Sequence, residues 1–159
     1  MDHPEGIAAD ARGNIYVANS SSDTVTIYSQ GANGNVPPAK MISGACTGLH
    51  DPNALTLDPK GNVYVGNFTD DSVTVYSAGA NGDATPTATI SGTATGVNGP
   101  EGIAVDASGN IYLSNYMFGG GTATLTVYAV GSNGNTAPVA TISGAATGFV
   151  NGASGIAIR

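Results

Sequence analysis

The chain has 159 residues, only 9% of them charged, and its 11 acids against 4 bases give a net charge of -7. That excess of negative charge disfavours nucleic acid and anionic membrane surfaces as partners and makes cations the natural counterpart. No apolar run reaches the roughly 18 residues of a membrane-spanning helix, and the single Cys46 excludes an internal disulfide or a cysteine-cluster metal site.

Low charge here does not signal disorder, because Val, Ile and Tyr recur at regular places. The recurrence has a period. PEGIAADARGNIYVAN at residues 4–19, PNALTLDPKGNVYVGN at 52–67 and PEGIAVDASGNIYLSN at 100–115 are copies of one unit, and ASGIAIR at 153–159 begins a fourth. Counted from Gly6 to Ala54, Gly102 and Gly155, the spacings are 48, 48 and 53. Of the five extra residues, four enter between Asn115 and Tyr128 and one between Ile142 and Ile156.

Each period predicts four short strands. The first lies at 6–9, 54–57 and 102–105, and the second at 14–18, 62–66 and 110–114. The third lies at 24–28, 72–76 and 124–128, and the fourth at 39–43, 87–91 and 139–143. These runs are rich in Val, Ile, Thr and Tyr and are bounded by Gly, Pro, Asn and Asp, and no window has helical periodicity. Between the first two strands stands Asp-x-x-Gly-Asn (Asp10, Gly13, Asn14 and their counterparts from Asp58 and Asp106), in which glycine supplies the left-handed residue of a tight turn and Asp caps its amides. The same residues also admit a calcium-loop reading. Pro38, Pro86 and Pro138 stand just ahead of the fourth strand and suit an outer edge. Cys46 aligns with Ala94 and Ala146, which makes it a small apolar filler.

Repeated four-stranded antiparallel units make an all-β fold, the β-propeller, in which each unit is a blade packed on both faces. The blades run over 4–51, 52–99 and 100–152, with a terminal strand in 153–159. The segments GIAVD, GNIYLSN, LTVYAV and ATISG resemble the NHL-type repeat of six-bladed propellers, in the Gly- and Thr-rich form of secreted bacterial proteins. The resemblance implies an extracellular setting, with any export signal outside this chain, and a fold shared by lyases, lactonases and plain binding scaffolds. Where such repeats carry Asp after the second strand, this chain has Asn19, Asn67 and Asn115.

Three blades leave two apolar faces open, so the chain is expected to associate with itself. Two copies would close a six-bladed homodimer ring, blade 1 of each on blade 3 of the other. The terminal strand at 155–158 then either displaces residues 4–9 of the partner or stays outside; in a third arrangement the units continue head to tail as an array.

Strand alternation sorts the charges between the two faces of the disc. One face carries Asp2, Glu5, Asp23, Asp51, Asp70, Asp71 and Glu101 with both histidines; the other carries Asp10, Asp58, Asp83 and Asp106 with Arg12, Lys40, Lys60 and Arg159. Glu5, Asn53 and Glu101 share one repeat position at the mouth of the first strand, an oxygen-rich ring of the kind Ca²⁺ accepts near the axis. His3 and His50, just ahead of that position, are the candidate general bases of a metal-dependent lyase or lactonase. In the third blade, Tyr116, Met117 and Phe118 form an apolar insertion suited to a ligand lip or a partner contact. The expectation is a non-catalytic scaffold that presents its acidic face to a cation, small ligand or protein, with the enzyme as the alternative.

Overall fold

The computed structural model describes residues 1–116, 122–149 and 154–158. Among these are twelve strands. They are β1 (Pro4–Ala9), β2 (Ile15–Asn19), β3 (Thr24–Tyr28), β4 (Lys40–Ile42), β5 (Pro52–Leu57), β6 (Val63–Asn67), β7 (Ser72–Tyr76), β8 (Ala88–Ile90), β9 (Pro100–Val105), β10 (Ile111–Asn115), β11 (Thr124–Tyr128) and β12 (Ala140–Ile142). They form three antiparallel sheets in chain order, β1-β2-β3-β4, β5-β6-β7-β8 and β9-β10-β11-β12.

The innermost strands begin two residues earlier than the sequence predicts, because Pro4, Pro52 and Pro100 pair with Asn19, Asn67 and Asn115 across an irregularity in the ladder. Outer strands are shorter than predicted, three residues each. The terminal segment at 155–158 is not a strand. It nonetheless lies beside β9. A methyl built on Gly102 would come within 3.1 Å of Gly155, much as one on Gly6 would meet the Asn53 carbonyl of β5 at 2.9 Å. The segment thus takes the place that the inner strand of a following blade would fill.

The Asp-x-x-Gly-Asn turns are closed by their own side chains. Asp10 Oδ1 accepts the amides of Arg12 and Asn14, each at 2.9 Å, while Asn14 Nδ2 donates to Asp10 Oδ2 at 2.7 Å. Asp58 and Asp106 repeat this set. Both oxygens of each carboxylate accept hydrogen bonds within the turn, so turn chemistry by itself accounts for the motif. The side-chain bond from Asn14 lowers the Asp10 pKa, and that from Asn110 lowers the Asp106 pKa.

The apolar core lies between blades. Ile27, Ile42, Leu49, Leu55, Val65 and Tyr76 join blade 1 to blade 2, and Val73, Ile90, Val97, Ile103, Leu113 and Tyr128 join blade 2 to blade 3. Tyr76 donates its hydroxyl to the Thr47 carbonyl of the preceding blade at 2.7 Å, and Tyr128 to that of Thr95 at 2.8 Å. Burial pushes the Tyr76 phenol up to about 12.

Asn19, Asn67 and Asn115 are buried. Their Nδ2 groups donate to the hydroxyls of Thr26, Thr74 and Thr126 at 3.2, 3.1 and 3.1 Å, while their Oδ1 atoms accept the amides of Asp2, His50 and Asn98. The side-chain amide thus donates to hydroxyls and accepts a backbone amide at the same time, bracing the second strand against the third.

Tyr76→Phe keeps the packing and orphans the buried Thr47 carbonyl. It is expected to cost about 1–3 kcal/mol, seen as a lower urea midpoint with an unchanged slope.

Candidate functional site

Glu5, Asn53 and Glu101 are where the ladder irregularities fall. Between β5 and β6 the pairing steps from Pro52–Asn67 to Ala54–Gly66, and between β9 and β10 from Pro100–Asn115 to Gly102–Ser114, so Asn53 and Glu101 are each one residue extra. Between β1 and β2 the shift lies between Pro4 and Ile7, around Glu5. A bulge breaks strict alternation and re-aims a side chain. Here all three line one cavity of about 240 Å³, walled by the inner strands and by Ser154, Gly155 and Ile156. The structure therefore brings together the three residues that the repeat singled out.

Among the described residues no three acidic, histidine or cysteine groups lie close enough to hold a metal ion. Two carboxylates and one amide, Glu5, Glu101 and Asn53, are what a single chain brings to this cavity. Burial pushes the Glu101 carboxyl above its ordinary 4.5.

The histidines do not converge. His3 lines a second cleft of about 370 Å³ with Glu5, Asp51, Asn53 and Phe68; its Nδ1 lies 3.0 Å from the Ser20 hydroxyl and 3.6 Å from Glu5 Oε1. His50 is not part of that cleft, and its Nε2 faces Asp70 Oδ2 at 3.5 Å. The two are one repeat position out of step: the counterparts of His3 are Asp51 and Gly99, and all three have left-handed backbones, with φ of 54°, 51° and 50°.

Several acids of this face are structural. Asp23 Oδ1 accepts the Asp51 amide at 2.7 Å and Asp71 Oδ1 accepts the Gly99 amide at 2.7 Å, each tying a loop of one blade to the start of the next. Composition could not separate these clamps from solvated loop acids, since the pairing depends on a neighbour 28 residues away.

Tyr116 packs its ring 6.3 Å from that of Phe68, a residue outside the repeat positions that carry the candidate site. Met117 and Phe118 lie outside the described residues. Cys46 is not apolar filler: it is exposed, its amide donates to Asp83 Oδ1 at 2.7 Å, and the hydrogen bond to Asp83 raises the thiol pKa.

A family model described as strictosidine synthase-like, N-terminal, matches residues 88–115. No curated protein matches the chain in sequence. Among solved structures, a putative 6-phosphogluconolactonase from Bacteroides uniformis superposes with a TM-score of 0.64 at 19% identity, over 91% of this chain and 42% of that one. The WD40 β-propeller domain of Doa1 gives 0.60 at 15% identity, over 81% and 38%. Virginiamycin B lyase from Staphylococcus aureus gives 0.51 at 12% identity, over 82% and 42%. The fold is that of a β-propeller. The chain spans about two fifths of the length of these propellers, and at such identities the likeness concerns architecture alone.

A raised folded-state pKa means that the folded chain keeps the Glu101 proton longer than the unfolded chain does. Stability is therefore lost as pH rises from the ordinary 4.5 through the raised value. Glu101→Gln, which stays neutral, should raise the thermal midpoint above that pH range and leave it nearly unchanged below it, as followed by circular dichroism.

Proposed function

We propose that this chain is a self-associating propeller segment of NHL type. Two copies supply the six blades of a ring, and the ring acts as a non-catalytic extracellular scaffold that presents its acidic face to a cation, a small ligand or a protein. The observation that carries this reading is the axial cavity. Glu5, Asn53 and Glu101 all line its wall, and a closed pair would double that set to four carboxylates and two amides. Oxygen donors in that number suit Ca²⁺, which takes roughly 6–8 ligands. The extracellular setting rests on the Gly- and Thr-rich repeat resemblance.

A second reading is favoured by one feature, the His3–Glu5 contact of 3.6 Å inside a cleft on the same face. A histidine beside a carboxylate is the acid–base pair that a lactonase or lyase of this fold would use. Neighbours in fold carry such names, one a putative 6-phosphogluconolactonase and another a streptogramin B lyase.

Calcium or manganese titration followed by thermal shift tests the cation site that both readings share, and turnover separates them. Under the scaffold reading, millimolar metal raises the melting midpoint by a few degrees and Glu101→Gln abolishes the rise; no shift in the wild type would remove the axial cation. Turnover of a lactone that falls at least about a hundredfold in His3→Ala, and not in His50→Ala, would establish the enzyme instead.

A further inference from the structure

Inside the chain, each blade is hooked to the one before it at the outer rim, and the hook is built the same way twice. Asn81 Oδ1 accepts the Met41 amide at 3.1 Å, and Asn133 Oδ1 accepts that of Thr89 at 2.9 Å. Gly82 and Gly134 donate their amides to the carbonyls of Met41 and Thr89, each at 2.7 Å, and accept the amides of Ser43 and Ser91 at 3.0 and 3.2 Å. These contacts form short parallel bridges, Ile42 to Gly82 and Ile90 to Gly134. Asp83 and Asn135 then accept the amides of Cys46 and Ala94, both at 2.7 Å.

Among the described residues, each half of this hook is also present without its mate. At the leading edge, Asn33, Gly34 and Asn35 repeat the hook residues, and Gly34 has the same left-handed backbone, φ 73° against 66° and 68° for Gly82 and Gly134. At the trailing edge, Thr141, Ser143 and Ala146 repeat the receiving residues. Ile42 and Ile90, covered by the next blade, are 0% exposed, whereas Ile142 is 50% exposed. A methyl on Gly44 would meet Asp83 at 2.5 Å and one on Gly92 would meet Asn135 at 2.6 Å, while one on Gly144 meets nothing. The buried tyrosine bond is split in the same way: Tyr28 is only half-buried at one end, and Thr147 occupies the acceptor position at the other.

We infer that the trailing rim, residues 140–147, is a docking site for the 33–35 hook of a second copy of this chain. The second copy is the occupant because it carries the matching half, residue for residue, in the backbone conformation that the internal hooks use. The ligation is then Thr141 amide to Asn33, Gly34 amide to the Thr141 carbonyl, Ser143 amide to Gly34 and Ala146 amide to Asn35, with Ile142 covered as Ile42 and Ile90 are. Asp83 in blade 2 shows that a carboxylate serves at the Asn35 position as well as an amide does. The hook lies at the outer rim, away from the axis, so it is compatible with either position of the terminal segment. This inference rests on the self-association proposed above and names the contact that makes it.

The test is a cysteine pair in a background without the native thiol. Cys46→Ala is conservative, because Ala94 and Ala146 occupy that position in the other blades. Adding Asn35→Cys and Ala146→Cys places thiols where Asp83 and Cys46 already meet across an internal junction. Mild oxidation should yield covalent dimers or a ladder, absent from either single-cysteine variant, and light scattering of the wild type should give at least twice the 15.6 kDa chain mass. Asn33→Ala with Asn35→Ala should weaken association by about tenfold or more, with circular dichroism unchanged, while Asn35→Asp should associate like the wild type. A wild type that associates while the cysteine pair fails to cross-link and the double alanine variant binds equally well would overturn the hook and leave self-association standing. A monodisperse wild-type monomer would overturn both.

Discussion

A blade with two apolar faces needs a neighbour on each, and the rest of this structure follows from that requirement. The middle blade meets it: all five residues of β7 are buried, and its tyrosine reaches back to the previous blade's carbonyl. Among the described residues, the outer blades meet it on one side only, and β12 is exposed along its length. The hydrophobic term here is therefore an interface term, accumulating junction by junction as in other repeat architectures. Polar contacts at each junction are the Asp clamps on the acidic face and the amide hooks at the rim. They fix the angle and register that apolar packing leaves loose.

The same repetition explains why few residues are left to carry chemistry. Asp10, Asp58 and Asp106 hold turns, Asn19, Asn67 and Asn115 brace the second strands, and Asp23, Asp71 and Asp83 tie blades together. Among the acids of the axial face, Glu5 and Glu101 stand apart because they sit where the ladder is irregular and line the cavity there. A bulge repeated in all three blades gives each inner strand a side chain outside the alternation, and the three line one cavity.

The fold was largely legible. Period, strand runs and the Asp-x-x-Gly-Asn turns placed four strands in each blade, and β3, β7 and β11 have the predicted limits. The candidate site was legible only in part. Aligning Glu5, Asn53 and Glu101 identified a shared position, but the bulge that groups them depends on pairing with β2, β6 and β10. The histidines stand two and three residues ahead of that position in the sequence, but which carboxylate each one faces, Glu5 or Asp70, is decided by the fold. Cys46 aligned with two alanines and looked apolar, while its backbone amide, invisible to side-chain alignment, is the group in use.

By itself the sequence determined the local rules: where strands run, where glycine permits a turn and how many four-stranded units repeat. These are short-range consequences of periodicity and turn chemistry. Only the tertiary structure decided which polar groups are already committed and which half-contacts lack a mate. The role of a group such as Asn35 or Ala146 depends on what lies across a junction, and its internal counterparts show partners about 40 residues away in the chain.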